Sequence, residues 1–246
     1  MSVAAQPRIR RVKLRQRTDV AEGTTAFRFE KPPGFDFEAG QFLDWTLVDP
    51  PETDAEGSVR AFTIASSPTE DTLMLATRMR DTAFKRVLKR MPLGAEMQIE
   101  GPSGDLVLDG DVTRPVVFLA GGIGITPFRS MLVTAARTKS ARRIHLFYSN
   151  RRPEDAAFLD ELESLARETT TIRVTATMTE MEKSQRAWSG ETGLLDHPML
   201  ARHLAGVLSP IYYVAGPPGL VKGMQAMLTG AGIAGADIRA EEFDGY

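Results

Sequence analysis

The chain has 246 residues, 42% of them hydrophobic, enough for one large or two modest domains with a real core. Its 30 basic and 32 acidic residues leave a formal charge of -2, so nothing in the balance points to a nucleic-acid partner. Cysteine is absent, which excludes disulfides, thiol nucleophiles and a cysteine-ligated iron–sulfur cluster within these residues.

Six basic residues fall between Arg8 and Arg17. Val12 and Leu14 alternate with Arg11, Lys13 and Arg15, which is the period of a half-exposed strand and lacks the apolar stretch of a signal peptide. No apolar run reaches the roughly 18 residues of a membrane span, so a cytoplasmic chain without membrane contact is expected. Strands are predicted over 8–15, 24–30, 40–48, 59–65, 72–78 and 95–100, separated by turn signals such as Pro32-Pro33-Gly34 and Pro92-Leu93-Gly94. Six short strands at this spacing predict an antiparallel barrel. One helix interrupts them at 83–90, with Phe84, Val87 and Leu88 on one face and Asp81 or Thr82 as its cap. The polar stretch 49–58 reads as a surface loop.

The pattern changes after Asp109-Gly110-Asp111. Pro115 to Ala120 is a continuous apolar run, as expected of a strand covered on both faces. Helices at 127–137, 154–167, 197–208 and 218–229 then alternate with strands at 143–149, 171–178, 211–215 and 237–243, and 180–191 is left as a polar loop. Such alternation predicts a five-stranded parallel, doubly wound sheet. The fold class is therefore two-domain β + α/β, divided into residues 1–109 and 110–246. The three histidines, His145, His197 and His203, sit in or beside periodic segments and read as structural, so no metal site is expected.

Three motifs carry chemistry. Arg60-Ala61-Phe62-Thr63 places a cation, a flat apolar ring and a hydroxyl on one strand, which is what a flavin needs for its diphosphate, its ring face and its N5. Gly121-Gly122-Ile123-Gly124-Ile125-Thr126-Pro127 joins an apolar strand to a helix, the context in which glycines let a backbone approach a diphosphate. In this reading Thr126 caps the helix and Pro127 opens its first turn. Ala215-Gly216-Pro217-Pro218 ends another strand and opens another helix.

In this order, over nearly the whole chain, the motifs resemble those of the ferredoxin–NADP reductase family of flavoproteins. The resemblance implies an N-terminal flavin-binding barrel and a C-terminal NAD(P)-binding domain. It assigns Arg60 to the diphosphate of FAD (rather than FMN, on family usage), Phe62 to the isoalloxazine face and Thr63 to N5, with Ala61 between them. Thr77, Arg78, Thr82, Ala83 and Phe84 form the second flavin element, the amides of 83 and 84 and the helix dipole facing the diphosphate. Gly122, Gly124, Thr126 and Pro127 would take the nicotinamide nucleotide's diphosphate, and Ala215, Gly216 and Pro217 would lie beside the nicotinamide. Ser149 and Arg151 fall where the adenosine ribose is read, and NADPH and NADH both stay open as donors. Phe243 or Tyr246 would cover the flavin face, while Glu241 and Glu242 read as solvated.

The chain departs from the family pattern at Phe62 (tyrosine is usual), Thr63 (serine), Ala215 (cysteine) and Thr82 to Lys85 (a glycine-x-x-serine stretch). The implied activity is hydride transfer from NAD(P)H to flavin N5 and onward transfer to a separate acceptor, a ferredoxin, flavodoxin or oxygenase component. A flavin or ferric-chelate reductase and a non-catalytic flavin- or nucleotide-binding electron-transfer subunit are the alternatives.

Overall fold

A computed structural model describes residues 9–243. The first sheet contains β1 (Arg10–Ala21), β2 (Thr24–Glu30), β3 (Phe42–Leu47), β4 (Val59–Thr63), β5 (Thr72–Arg78) and β6 (Glu96–Ser103). Its six strands run in the order β4-β3-β6-β1-β2-β5, with every pairing antiparallel. Alternation does the sorting: Leu43, Trp45 and Leu47 of β3 are buried while Phe42, Asp44 and Thr46 are only half so. The two outer strands are joined just past β4. There the Ala65 N–H donates to the Met74 carbonyl at 2.7 Å, and the Met74 N–H donates to Ser66 Oγ at 3.0 Å. The sheet thereby closes into a barrel around Phe27, Phe29, Trp45 and Leu75. Helix α1 (Ala83–Arg90) plugs one end with Phe84 and Leu88, and Thr82 Oγ1 caps it by accepting the Lys85 N–H at 3.3 Å.

The second sheet contains β7 (Val116–Gly121), β8 (Ile144–Asn150), β9 (Ile172–Met178), β10 (Glu191–Thr192), β11 (Ile211–Gly216) and β12 (Ile238–Glu242). The order is β10-β9-β8-β7-β11-β12, and all pairings are parallel. Helices α2 (Ile125–Arg137) and α3 (Leu159–Glu168) cover one face through Phe128, Leu132 and Leu162. Helices α4 (His197–His203) and α5 (Pro218–Gly230) cover the other through Leu200, Val221 and Leu228.

Four boundaries differ from the sequence reading. This sheet has six strands, not five. The added β10 is two residues long, too short to show a period, and is held at the edge by the Gly193 N–H on the Met178 carbonyl at 2.9 Å and by Thr177 Oγ1 on the Gly193 carbonyl at 2.8 Å. Strand β1 continues to Ala21 because register shifts at Leu14/Gln16 and Asp19/Ala21 hide the alternation without ending the pairing. The helix predicted over 154–167 is split: a 3-10 turn at Pro153–Asp155 precedes α3, and Phe158 between them is left-handed at φ 62°. Helix α4 stops at His203, short of 208.

The barrel and the parallel sheet share a core, since Ala26, Ala65, Met74 and Ala76 pack with Phe128 and Met131 of α2. Arg129 of α2, only 2% exposed, crosses this junction. It donates to the Ala65 carbonyl at 2.7 Å, to Glu70 at 3.0 Å and to Glu161 at 2.6 and 2.9 Å. Burial opposes charge on Glu70, but Arg129 holds its carboxyl below the usual range. Ser130 Oγ donates to the Ser66 carbonyl at 2.7 Å beside it. These contacts fix the segment following β4 against α2, and so fix the Arg60–Thr63 motif relative to the glycine-rich loop. Among the described residues no helix is long and apolar enough to cross a membrane.

Candidate active site

A cavity of about 570 Å³ opens between the barrel and the C-terminal edge of the parallel sheet. The barrel contributes Arg60, Ala61, Phe62 and Thr63 from β4, Ala76, Thr77 and Arg78 from β5, and Arg80, Thr82 and Lys85 around the start of α1. The parallel-sheet half contributes Ile123 and Thr126 from the glycine-rich turn and Glu241, Glu242 and Phe243 from the end of β12. A slightly larger groove of about 670 Å³ runs between β1, β2 and the start of α3 and contains none of the residues singled out from sequence.

Edge strand β4 positions the first motif. Arg60 is paired with Trp45 and Phe62 with Leu43 across the ladder, so both side chains fall on one face. That face looks onto Phe84: the Arg60 guanidinium stands 5.4 Å from its ring centre and the Phe62 ring 5.8 Å. Phe84 itself is 1% exposed and belongs to the barrel core, so its side chain supports the site from below and does not line it. The hydroxyl-bearing side chains of Thr63, Thr77 and Thr126 are all buried at the cavity.

The glycine-rich turn is tighter than its sequence implies. Helix α2 begins at Ile125 with Gly124 as N-cap, so Thr126 and Pro127 already lie inside it. Thr126 therefore does not cap; its hydroxyl donates back to the Ile123 carbonyl at 3.1 Å. Gly122 adopts φ 52°, a conformation that favours glycine. A Cβ on Gly124 would stand 2.3 Å from the Ala215 carbonyl oxygen, and one on Gly121 2.6 Å from Leu220 Cδ1. The two loop motifs thus pack backbone against backbone, which brings Ala215, Gly216 and Pro217 beside Gly122 and Gly124.

Phe243 is tied to the same place, its N–H donating to the Gly216 carbonyl at 2.9 Å. Tyr246 lies outside the described residues. Ser149, one residue before the end of β8, lies between Gly121 and Thr177 of the neighbouring strands. Arg151 is half exposed, 3.6 Å from Asp155, and does not line the cavity. Its neighbour Arg152 is committed to Asp155 at 3.0 Å and to Glu22 of the barrel at 3.0 Å.

Among the cavity residues not singled out from sequence, two titratable groups stand out. Glu241 is not simply solvated: burial raises its carboxyl to about 7. Its register places it at the site, because Glu241 lies opposite Ala215, next to the turn that packs on the glycine-rich loop. Lys85 lacked a signal, since it sits among the basic residues of an amphipathic helix. Burial, then the Arg80 and Arg60 charges, push its ammonium down to about 8.

The residues fit FAD. Arg60, Arg80 and Lys85 crowd positive charge at one end, an arrangement that a diphosphate relieves. Phe62 and Ala76 supply an apolar wall, and Thr63 and Thr77 supply hydroxyls beside it.

The chain matches the family described as oxidoreductase FAD-binding domain over residues 11–108. It matches the one described as oxidoreductase NAD-binding domain over residues 118–226. It is 32% identical over 227 residues to ferredoxin--NADP reductase B of Sorangium cellulosum, a match covering 88% of this chain and 90% of that one. To the glycine betaine monooxygenase reductase subunit of Chromohalobacter salexigens it is 29% identical over 239 residues, covering 96% of this chain and 63% of the relative. Among solved structures, a ferredoxin NADP+ reductase from Neisseria gonorrhoeae with bound FAD and NADP shares the fold. The TM-score is 0.78 at 22% identity, over 95% of this chain and 98% of that one.

Proposed function

Because this chain belongs to the ferredoxin–NADP reductase family and is an NAD(P)H-dependent flavoprotein reductase that uses FAD, we propose that it delivers electrons to a separate protein acceptor, a ferredoxin, flavodoxin or oxygenase component. In this reading residues 1–109 hold the flavin and residues 110–246 the nicotinamide nucleotide. The observation that carries it is the single cavity in which Arg60, Phe62 and Thr63 of the barrel face Thr126 and Phe243 of the other half.

Bound FAD supplies the redox chemistry, accepting electrons as a pair from NAD(P)H and releasing them singly or together. The protein's part is binding, orientation and exclusion of water. Arg60 and the first N–H groups of α1 neutralise the diphosphate. Phe62 covers a ring face and dries it. The Thr63 hydroxyl donates a hydrogen bond next to the reacting edge, in a buried position where such a bond is strong. Gly122, Gly124 and the Ala215-Gly216-Pro217 turn bring backbone close to the nucleotide. Phe243, held by its N–H on Gly216, covers the face that the nicotinamide must reach. Burial raises the Glu241 carboxyl to about 7, so it is only partly ionised at neutral pH and less negative charge faces the site than an ordinary glutamate would bring.

A protein acceptor is supported by the relatives, which are named as a ferredoxin reductase and an oxygenase reductase subunit. The absence of cysteine places any iron–sulfur carrier outside these 246 residues. The test is a turnover assay of the FAD-loaded protein, with NADH or NADPH as donor. A ferredoxin, a flavodoxin, free FMN and ferric citrate are compared as acceptors. Faster reduction of a protein carrier at equal concentration is expected; faster reduction of free flavin or ferric citrate would replace this reading with that of a flavin or ferric-chelate reductase.

A further inference from the structure

The loop joining β3 to β4 carries four carboxylates, Asp49, Glu52, Asp54 and Glu56. It is folded over the start of α1. Asp54 Oδ2 accepts the Ala83 N–H at 3.0 Å. Asp54 Oδ1 accepts from Arg60 Nη2 at 3.2 Å and from the Glu56 N–H at 3.1 Å. Burial alone would raise the Asp54 pKa, but the Ala83 and Glu56 N–H groups and Arg60 hold it below the usual range.

The same loop occupies the rest of Arg60. Its Nη1 donates to the carbonyls of Glu56, Gly57 and Val59 at 2.8, 3.1 and 2.7 Å, and its Nη2 pairs with the Glu56 carboxylate at 2.8 Å. Farther along α1, Glu52 anchors the loop through a forked pair with Arg86 at 2.6 to 3.2 Å. A carboxylate that accepts both a helix N-terminal N–H and a guanidinium reproduces the charge and acceptor arrangement of a phosphate group.

We propose that this loop is an internal competitor for the flavin: Asp54 sits in the diphosphate seat formed by Arg60 and the first turn of α1, and FAD binds by displacing it. The inference rests on the reading of Arg60 as the diphosphate ligand. Contacts made by Asp54 in the flavin-free protein are given up in the loaded one, so they stabilise the free form and lower FAD affinity. Glu52 and Arg86 set how readily the loop opens. The device lets a site with several cations release its flavin instead of holding it permanently.

The experiment titrates the flavin-stripped 246-residue protein with FAD, followed by quenching of flavin fluorescence, and compares wild type with Asp54→Asn and Glu52→Gln. Asp54→Asn keeps the side-chain shape and removes the competing charge. It is expected to bind FAD about three- to tenfold more tightly, the range for a partly exposed ion pair with a helix-terminal hydrogen bond. Glu52→Gln leaves the seat untouched and is expected to shift affinity in the same direction, which keeps the test decisive where Asp54→Asn fails to fold. The melting temperature of the flavin-free Asp54→Asn protein should fall while that of the FAD-loaded form stays at the wild-type value. Wild type that binds FAD, with both variants binding equally or more weakly, overturns the competitor and leaves the flavin site standing. Wild type that binds no FAD overturns the flavin reading and the competitor with it.

Discussion

Gly124 lies against the backbone of Ala215, so closely that a Cβ on Gly124 would stand 2.3 Å from the Ala215 carbonyl oxygen and 2.6 Å from Gly216 Cα. Both neighbours are backbone, so no side chain can swing aside. Gly124→Ala is expected to cost about 1–3 kcal/mol, the range for forced overpacking. It is also expected to weaken nicotinamide nucleotide binding, because the two loops must separate. Gly110→Ala, where a Cβ meets nothing within 4 Å, serves as the control. Urea unfolding of both variants checks this; wild-type stability in Gly124→Ala would show that the loops are not in contact.

Arg129 joins the two halves of the molecule from a position only 2% exposed. Arg129→Met keeps the length of the side chain but leaves Glu70 buried without its main cation. A loss of about 3 kcal/mol or more is expected, the cost of breaking one side of a buried pair. Chemical denaturation measures it. A loss under about 1 kcal/mol would mean that the shared apolar core alone joins the halves.

Arg60→Ala is expected to weaken FAD binding about tenfold, since a charge-assisted diphosphate contact is removed while release of Asp54 offsets part of that loss. Equilibrium dialysis against FAD reads it, and wild-type retention would remove Arg60 from the site. Thr63→Val, which fills the same buried space without a hydroxyl, is expected to keep the flavin and slow its reduction by NAD(P)H about tenfold or more. An unchanged stopped-flow rate would take Thr63 out of the mechanism.

Glu241 gives a pH signature. Burial raises its carboxyl from the usual 4.5 to about 7. A group shifted upward contributes stability that is fully present below its unfolded value and is lost as pH rises through its folded value. Glu241→Gln holds the position neutral throughout. The melting temperature of the variant should match wild type near about pH 4, below the unfolded value, and exceed it near about pH 8. An equal difference at both pH values would contradict the burial of this carboxyl.

The division into strand-only and alternating halves was readable because the two kinds of strand differ in pattern. Leu43, Trp45 and Leu47 alternate with less buried residues, whereas Val116 to Gly121 are all buried. Strand β10 was not readable, because two residues have no period. The break at Phe158 was hidden, because its left-handed backbone arises from tertiary packing and not from a glycine. At the site, Arg60, Phe62, Thr63 and Phe243 line one cavity; only the resemblance to the family grouped Phe243 with the other three, because nothing in the local pattern links residues so far apart in the chain. The contacts of Asp54 and Arg129 were not readable, because each joins residues distant in sequence: Asp54 to Ala83, and Arg129 to Ala65. An arginine amid Phe128, Met131 and Leu132 was the available hint that a buried cation would need carboxylates from elsewhere.

The most direct test of the central claim is an anaerobic visible-absorbance titration of the purified, FAD-supplied protein with NADH and, in parallel, NADPH. The account predicts a bound flavin whose visible band bleaches rapidly and stoichiometrically with at least one of the two nucleotides. A protein that takes up FAD and is bleached by neither, or that takes up no FAD at all, would contradict it.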